Sequence, residues 1–344
     1  MRSNAGLHRF SVFTAVCTFL LIIAGGLVTS TDSGLSVPDW PDTYGHFMFA
    51  YPVDQMVGGI FYEHSHRMIA SIVGLLTAVL AVWLWKRDER RWVRRLGLAA
   101  FGAVVLQGLL GGLTVLFLLP VPISVGHATL AQTFFVLTAS IALVTSPRWK
   151  NAGLLPDTRQ GLSVFRLCLA TTAAIYIQLI LGALMRHTQS GLAVPDFPLA
   201  YGQLLPSLSP DALARYNAQL ISSDLRLAAD GPITAAQILI HMSHRLWALV
   251  VATLIVWTSV RLVRLRGGQQ RGTAAVFLGL LLLQVSLGAF TVLSAKAVDV
   301  TTAHVATGAL ILVVSALATL RTARLSGLRY QRFVPAMRPR GVPA

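Results

Sequence analysis

Four histidines in this chain fall into two matched pairs. His66 stands in Glu63-His64-Ser65-His66-Arg67 and corresponds to His244 in His241-Met242-Ser243-His244-Arg245. His127, in Gly126-His127-Ala128-Thr129, corresponds to His304 in Ala303-His304-Val305-Ala306-Thr307. A single histidine at a helix end is ordinarily an interfacial hydrogen-bonding group. A matched pair on two apolar segments, present twice, argues for function, because polar groups in such segments are expensive. Two imidazoles facing each other across a four-helix bundle can ligate a heme iron axially. Zinc would require four ligands close together. The only cysteines, Cys17 and Cys168, lie inside apolar runs, and few carboxylates are near the histidines. The pairs therefore read as two heme sites.

The two sets are not equivalent. Glu63 precedes His66 by three residues, one turn back on the same helix face, and its counterpart before His244 is His241. A carboxylate beside a heme ligand can exchange protons or orient a substrate group. The competing reading is a loop-end charge in the headgroup layer, paired with Arg67. The asymmetry points to one heme that is acted upon and one that serves. Arg67 and Arg245 are candidates for heme propionate contacts, with headgroup anchoring equally open. His8, His46, His64, His187 and His241 read as interfacial.

The elements that carry these residues follow from composition. The chain has 344 residues, 55% hydrophobic and 12% charged, against about 25% charged in soluble domains. That excludes an ordinary soluble enzyme, a disordered chain and a disulfide scaffold. The net charge of +15 does not indicate nucleic acid, because the basic residues sit in short clusters between long apolar runs. Runs near 10–30, 66–86, 96–118, 123–145, 162–185, 238–262, 272–294 and 300–320 are each long enough to span a bilayer, which takes about 20 residues. The first is read as an uncleaved span, since no cleavage motif follows it. Basic clusters at 86–95, 148–166, 261–271 and 321–340 follow alternate spans. By the positive-inside rule both termini are cytoplasmic and the histidines lie toward the outer side of the cell membrane. Of the outer loops, 32–62 carries Asp32, Asp39, Asp42 and Asp54 without Lys or Arg, and aromatics suited to the interface. The longer loop 187–237 contains Ser209-Pro210-Asp211, a helix start, with a surface helix expected through about Leu227.

The chain is also internally repeated. Ser33-Gly34-Leu35-Ser36-Val37-Pro38-Asp39-Trp40-Pro41 recurs as Ser190-Gly191-Leu192-Ala193-Val194-Pro195-Asp196-Phe197-Pro198, and Tyr44-Gly45 as Tyr201-Gly202. Leu106-Gln107, Gly111 and Thr114-Val115-Leu116 recur as Leu283-Gln284, Gly288 and Thr291-Val292-Leu293. Four spans per repeat make the halves parallel, related by a pseudo-twofold axis along the membrane normal. The expected fold is an all-α integral membrane protein of eight transmembrane helices in two tandem four-helix bundles. Residues 1–150 would form the first, with the substrate heme site. Residues 151–344 would form the second, with the cofactor site and the long outer loop 187–237.

Gly25-Gly26-Leu27-Val28-Thr29 running into the Ser33–Pro41 segment, then Glu63-x-x-His66-Arg67, Gly126-His127, His244-Arg245 and His304, resemble the heme A synthase family across nearly the whole chain. The resemblance implies oxidation of a methyl group of heme O to a formyl group by successive hydroxylations, with oxygen from water, giving heme A for cytochrome oxidase. It implies substrate heme between His66 and His127 with Glu63 essential, and a heme b cofactor between His244 and His304. It also implies heme O synthase, a farnesyltransferase, and cytochrome oxidase assembly as partners; self-association into a homo-oligomer is left open. One departure stands out. Many bacterial members carry a cysteine pair in the outer loops, where this chain has Val37 and Thr43, with Val194 and Ala200 in the second loop. Two rivals remain: a di-heme b-type electron-transfer protein without chemistry of its own, and a transporter. The transporter is disfavoured because the spans lack mid-membrane charge and are almost free of proline.

Overall fold

In hydrocarbon, backbone groups have no water to bond, so apolar runs of this length close their hydrogen bonds internally as helices. The computed structural model describes residues 5–153, 158–223, 225, 231–265 and 270–327. Among them are α1 (Ala5–Ser30), α2 (Gly58–Arg87), α3 (Arg91–Leu116), α4 (Val121–Thr145) and the short α5 (Pro147–Lys150). There follow α6 (Thr158–His187), α7 (Pro210–Ser222), α8 (Ala235–Val263), α9 (Arg271–Leu293) and α10 (Val298–Leu325). All but α5 and α7 are long and apolar enough to cross a membrane, eight in total. No β-strand occurs among the described residues; two isolated bridges, Thr43 with His46 and Ala200 with Gln203, pin the outer loops.

Helices α1, α2, α3 and α4 close a ring in which each touches the next, and α6, α8, α9 and α10 close a second. The rings meet through α1 on α10, α4 on α10 and α4 on α6. The most apolar windows of α4 and α10 are accordingly 56% and 61% buried, against 6–28% for the other spans. The seam is apolar: Ile22 of α1, Phe135 and Ala139 of α4, and Ala309 and Val313 of α10 pack together. Phe19 stacks on Phe135 at 5.6 Å. Two polar ties cross it: the Tyr176 hydroxyl of α6 is bonded to the Thr133 hydroxyl and donates to the Thr129 carbonyl of α4, and the Thr302 hydroxyl of α10 donates to the Ser30 hydroxyl of α1 at 3.2 Å.

The sequence repeat is matched by the backbone. Trp40–Pro41 and Phe197–Pro198 are both cis, and left-handed conformations recur at Tyr44 and Tyr201, Gly45 and Gly202, and Leu119 and Lys296. Within each ring the large apolar core lies toward the basic loops. In the first it comprises Leu7, Val73, Leu80, Leu84, Val93, Ala100, Phe134, Ile141 and Val144. The opposite end of each ring is left to the polar residues.

The helices run further than the apolar runs suggest. Helix α2 begins at Gly58 and α8 at Ala235, so His66 and His244 lie about two turns inside their helices. The hydrophobic run underestimates the helix because Glu63, His64 and His241 interrupt it. These polar residues have partners and leave the helix intact.

The long outer loop folds on its own half. Ser209 caps α7 by accepting from the Ala212 N–H at 3.3 Å. Ala212, Tyr216 and Leu220 then form one helical stripe packed on Ala193, Val194 and Ala200. Tyr216 stacks on Tyr201 at 3.7 Å. The helix ends at Ser222; the stretch expected to carry it to Leu227 lies outside the described residues.

Candidate functional site

Helices α2 and α4 carry His66 and His127, and α8 and α10 carry His244 and His304. Members of each pair sit on opposite corners of their ring, close enough to interact electrostatically. Each imidazole is seated on a glycine of the adjoining helix. A Cβ placed on Gly25, Gly111, Gly182 or Gly288 would lie 3.1 Å from Cε1 of His66, His127, His244 or His304 respectively. This fourfold seat was the feature least visible in the sequence. Gly111 and Gly288 belong to the repeat and Gly25 to the family motif, but Gly182 is conspicuous only as the counterpart of Gly25.

The rings have few partners of their own. Nδ1 of His66, His127 and His304 is buried without a hydrogen bond. Glutamines lie alongside: Gln107 Nε2 donates to the His127 carbonyl at 3.0 Å, and Gln284 Nε2 lies 3.5 Å from His304 Nε2. Gln178 Nε2 donates to the His244 carbonyl at 3.0 Å and lies 3.2 Å from both nitrogens of that ring. Among the described residues no three His, Cys, Asp or Glu side chains converge as a metal centre, so the histidines come as pairs. Two half-buried imidazoles from opposite corners of one ring, three of the four with a buried and unbonded Nδ1, suit a flat group held between them, and the residues fit heme.

Glu63 is not a solvated loop-end charge. It is 4% exposed, and both its oxygens accept hydrogen bonds, Oε1 from Arg67 Nη2 at 2.6 Å and Oε2 from the Val37 N–H at 2.8 Å. At the equivalent place, His241 Nδ1 lies 2.9 Å from the Ser190 carbonyl oxygen. His64 and His241, expected to be interfacial, are 2% exposed. His64 Nδ1 bonds the Thr43 hydroxyl at 3.1 Å. Thus these two histidines tie α2 and α8 to the loops above them.

Arg67 and Arg245 do the same work in both halves. Arg67 donates to the carbonyls of Asp39, Asp42 and Val37, and Arg245 to those of Leu199, Val194 and Asp196. These are the same three loop positions in each repeat. With Glu63 added, four of the five Arg67 N–H groups are engaged. Asp39 accepts from the Tyr44 and Gly45 N–H groups at 2.9 and 2.8 Å. Burial pushes its pKa up, but these N–H groups and Arg67 outweigh it and hold the carboxyl below its ordinary range. Val37, Thr43, Val194 and Ala200 are each 0–1% exposed and form the inner face of the loops. Cys17 and Cys168 are unpaired.

The fold and site define a class: a polytopic helical membrane protein of two rings, each with a histidine pair beneath a stapled outer loop. The sequence matches the Cytochrome oxidase assembly protein family (COX15-CtaA) over residues 8–316, and the chain belongs to that family. A protein of Shouchella clausii named heme A synthase is 32% identical over 61% of this chain and 69% of its own length. Proteins of the same name from Caulobacter vibrioides and Shewanella oneidensis are 27% and 26% identical, covering 88% and 87% of this chain and 91% of each relative.

Proposed function

We propose that this chain converts heme O to heme A, oxidising one ring methyl to a formyl group. Summed over its successive hydroxylations, the change takes oxygen from water and removes four protons and four electrons in all: R–CH3 + H2O gives R–CHO, 4 H+ and 4 e−. The observation that carries this reading is the pairing of like sites with unlike neighbours. Both rings present two seated imidazoles, and only the first sets a buried carboxylate, Glu63, one turn from a ligand.

In this reading residues 1–150 bind substrate heme between His66 and His127, and residues 151–344 bind heme b between His244 and His304. Heme b, when bound, supplies a one-electron carrier. Glu63 is held over the first site by Val37 and Arg67 and acts as proton acceptor or orienting group for the reacting methyl. Arg67 and Arg245 serve the loops first, which leaves little of Arg67 for a propionate. The outer loops and α7 cover the rings and exclude bulk water. The basic clusters put both termini in the cytoplasm of a cell-membrane protein, with the heme sites toward the outer face. Heme O comes from a membrane farnesyltransferase, and the product goes to cytochrome oxidase.

The test is the pigment of the purified chain together with two variants. Wild type should contain heme b alongside heme O or heme A. Glu63→Gln should keep heme b and stop heme A formation, whereas His304→Ala should lose the b-type spectrum. Heme b alone in both rings, with normal behaviour of Glu63→Gln, would instead establish a di-heme electron carrier.

A further inference from the structure

The two rings differ in one contact to a ligand histidine that the proposed reaction does not by itself require. Gly25 of α1 and Gly182 of α6 seat His66 and His244 in the same way. One turn earlier on the same helix faces stand Leu21 and Gln178, equivalent positions of the repeat. Leu21 packs into the apolar core of the first ring. Gln178 instead reaches α8, donating to the His244 carbonyl at 3.0 Å and lying 3.2 Å from both ring nitrogens. Accordingly Nδ1 of His66 is an orphan and Nδ1 of His244 is not. On the opposite helices the halves agree, with Gln107 and Gln284 at matching positions beside His127 and His304.

A group that accepts the second N–H of a metal-bound imidazole fixes the ring plane and strengthens the ligand, and removing it costs about 10–100-fold in affinity. The Gln178 amide nitrogen is a donor, but its Oε1 is buried without a partner, and a half-turn of the amide brings that acceptor to the His244 N–H. A substrate must enter and its product must leave, while a cofactor must stay. We propose that Gln178 is the retention element of the second ring: it pins His244 so that this site keeps its heme. Leu21 leaves His66 unpinned, so the first site can exchange. The proposal rests on the assignment of substrate heme to the first ring and cofactor heme to the second. Gln178 is a positioning residue, acting only through His244.

The experiment uses the full chain in lipid nanodiscs loaded with iron protoporphyrin IX. His66→Ala with His127→Ala empties the first ring, and His244→Ala with His304→Ala empties the second. Loss of heme to excess apomyoglobin is then followed by absorbance. The second ring should release heme more slowly than the first. Gln178→Leu should speed that release by about tenfold or more, and Leu21→Gln should slow release from the first ring. Gln178→Leu should also move the low-spin electron paramagnetic resonance signal of the second-ring heme, because that signal follows the imidazole plane; general loosening of the fold would not. Gln178→Leu places in α6 the residue that α1 already carries at this position, so the fold tolerates it. An unchanged release rate and signal in Gln178→Leu would overturn the proposal while leaving the functional reading intact. A wild-type second ring that holds no heme would overturn the functional reading, and the proposal with it.

Discussion

At the residue scale, each paired histidine depends on what is missing opposite it. The glycine seats bring each imidazole edge against a neighbouring backbone, where an added methyl group would crowd the ring by a few tenths of an ångström. Gly288→Ala would place a carbon 3.1 Å from His304 Cε1, tighter than ordinary contact, and the ring can yield only by turning. We expect Gly288→Ala and Gly182→Ala to lower b-type heme content several-fold and to shift its absorbance. Gly102→Ala, with nothing within 4 Å of the added carbon, should leave both unchanged. Equal heme content in all three variants would show that the seats are incidental. The carboxylate is comparably constrained: with both oxygens bonded, Glu63 has one orientation, set from α2 by Arg67 and from the loop by Val37.

At the scale of elements, the outer loops are shaped by one arginine each. The planar guanidinium reaches three carbonyls at once, which a lysine ammonium on a flexible stem cannot do. Arg67→Ala would leave Glu63, 4% exposed, without its counter-ion. Breaking a buried pair in this way costs about 3–5 kcal/mol. The expected outcome is rapid cleavage of the loop between α1 and α2 in limited proteolysis, little restored by Arg67→Lys. A protease-resistant loop in Arg67→Ala would refute the staple. The same loop has an acid limit. Asp39 has a folded value below its ordinary 3.8, so its contribution is complete above that value and is lost as pH falls through the depressed one. Protection of the loop should therefore persist unchanged from neutral pH to about 4 and fail only in stronger acid. Asp39→Asn, which loses the charge, should remove that acid step.

At the scale of the whole molecule, α4 and α10 are the shared wall. They carry one histidine of each pair and are the most buried spans, so the two histidine pairs are held at a set spacing by packing rather than by a linker. The proposed orientation in the membrane rests on where the basic clusters fall relative to the rings. Val53 and Leu204 are 81% and 82% exposed in the outer loops. In a chain whose Cys17 and Cys168 are replaced by Ala, a cysteine at either position should react with a membrane-impermeant maleimide on intact cells. A cysteine at Glu89, between α2 and α3, should react only after lysis. The opposite pattern would invert the assignment.

Much of this was legible in the chain itself, for identifiable reasons. Span number comes from apolar length, and the proposed direction from the side on which arginine accumulates, quantities that do not depend on packing. The repeat showed that His66 and His244, or His127 and His304, must occupy equivalent places, and that Glu63 breaks the equivalence. Other features depend on which atoms meet. Arg67 and Arg245 looked equally suited to propionates or headgroups, and only the loop fold brings three carbonyls to each. His64 and His241 looked interfacial until the loops closed over them. Composition and periodicity determined a repeated, eight-span membrane protein with two histidine pairs. The tertiary structure decided the glycine seats, the loop staples and the single glutamine that separates one histidine from its twin, because those rest on contacts between residues far apart in the chain.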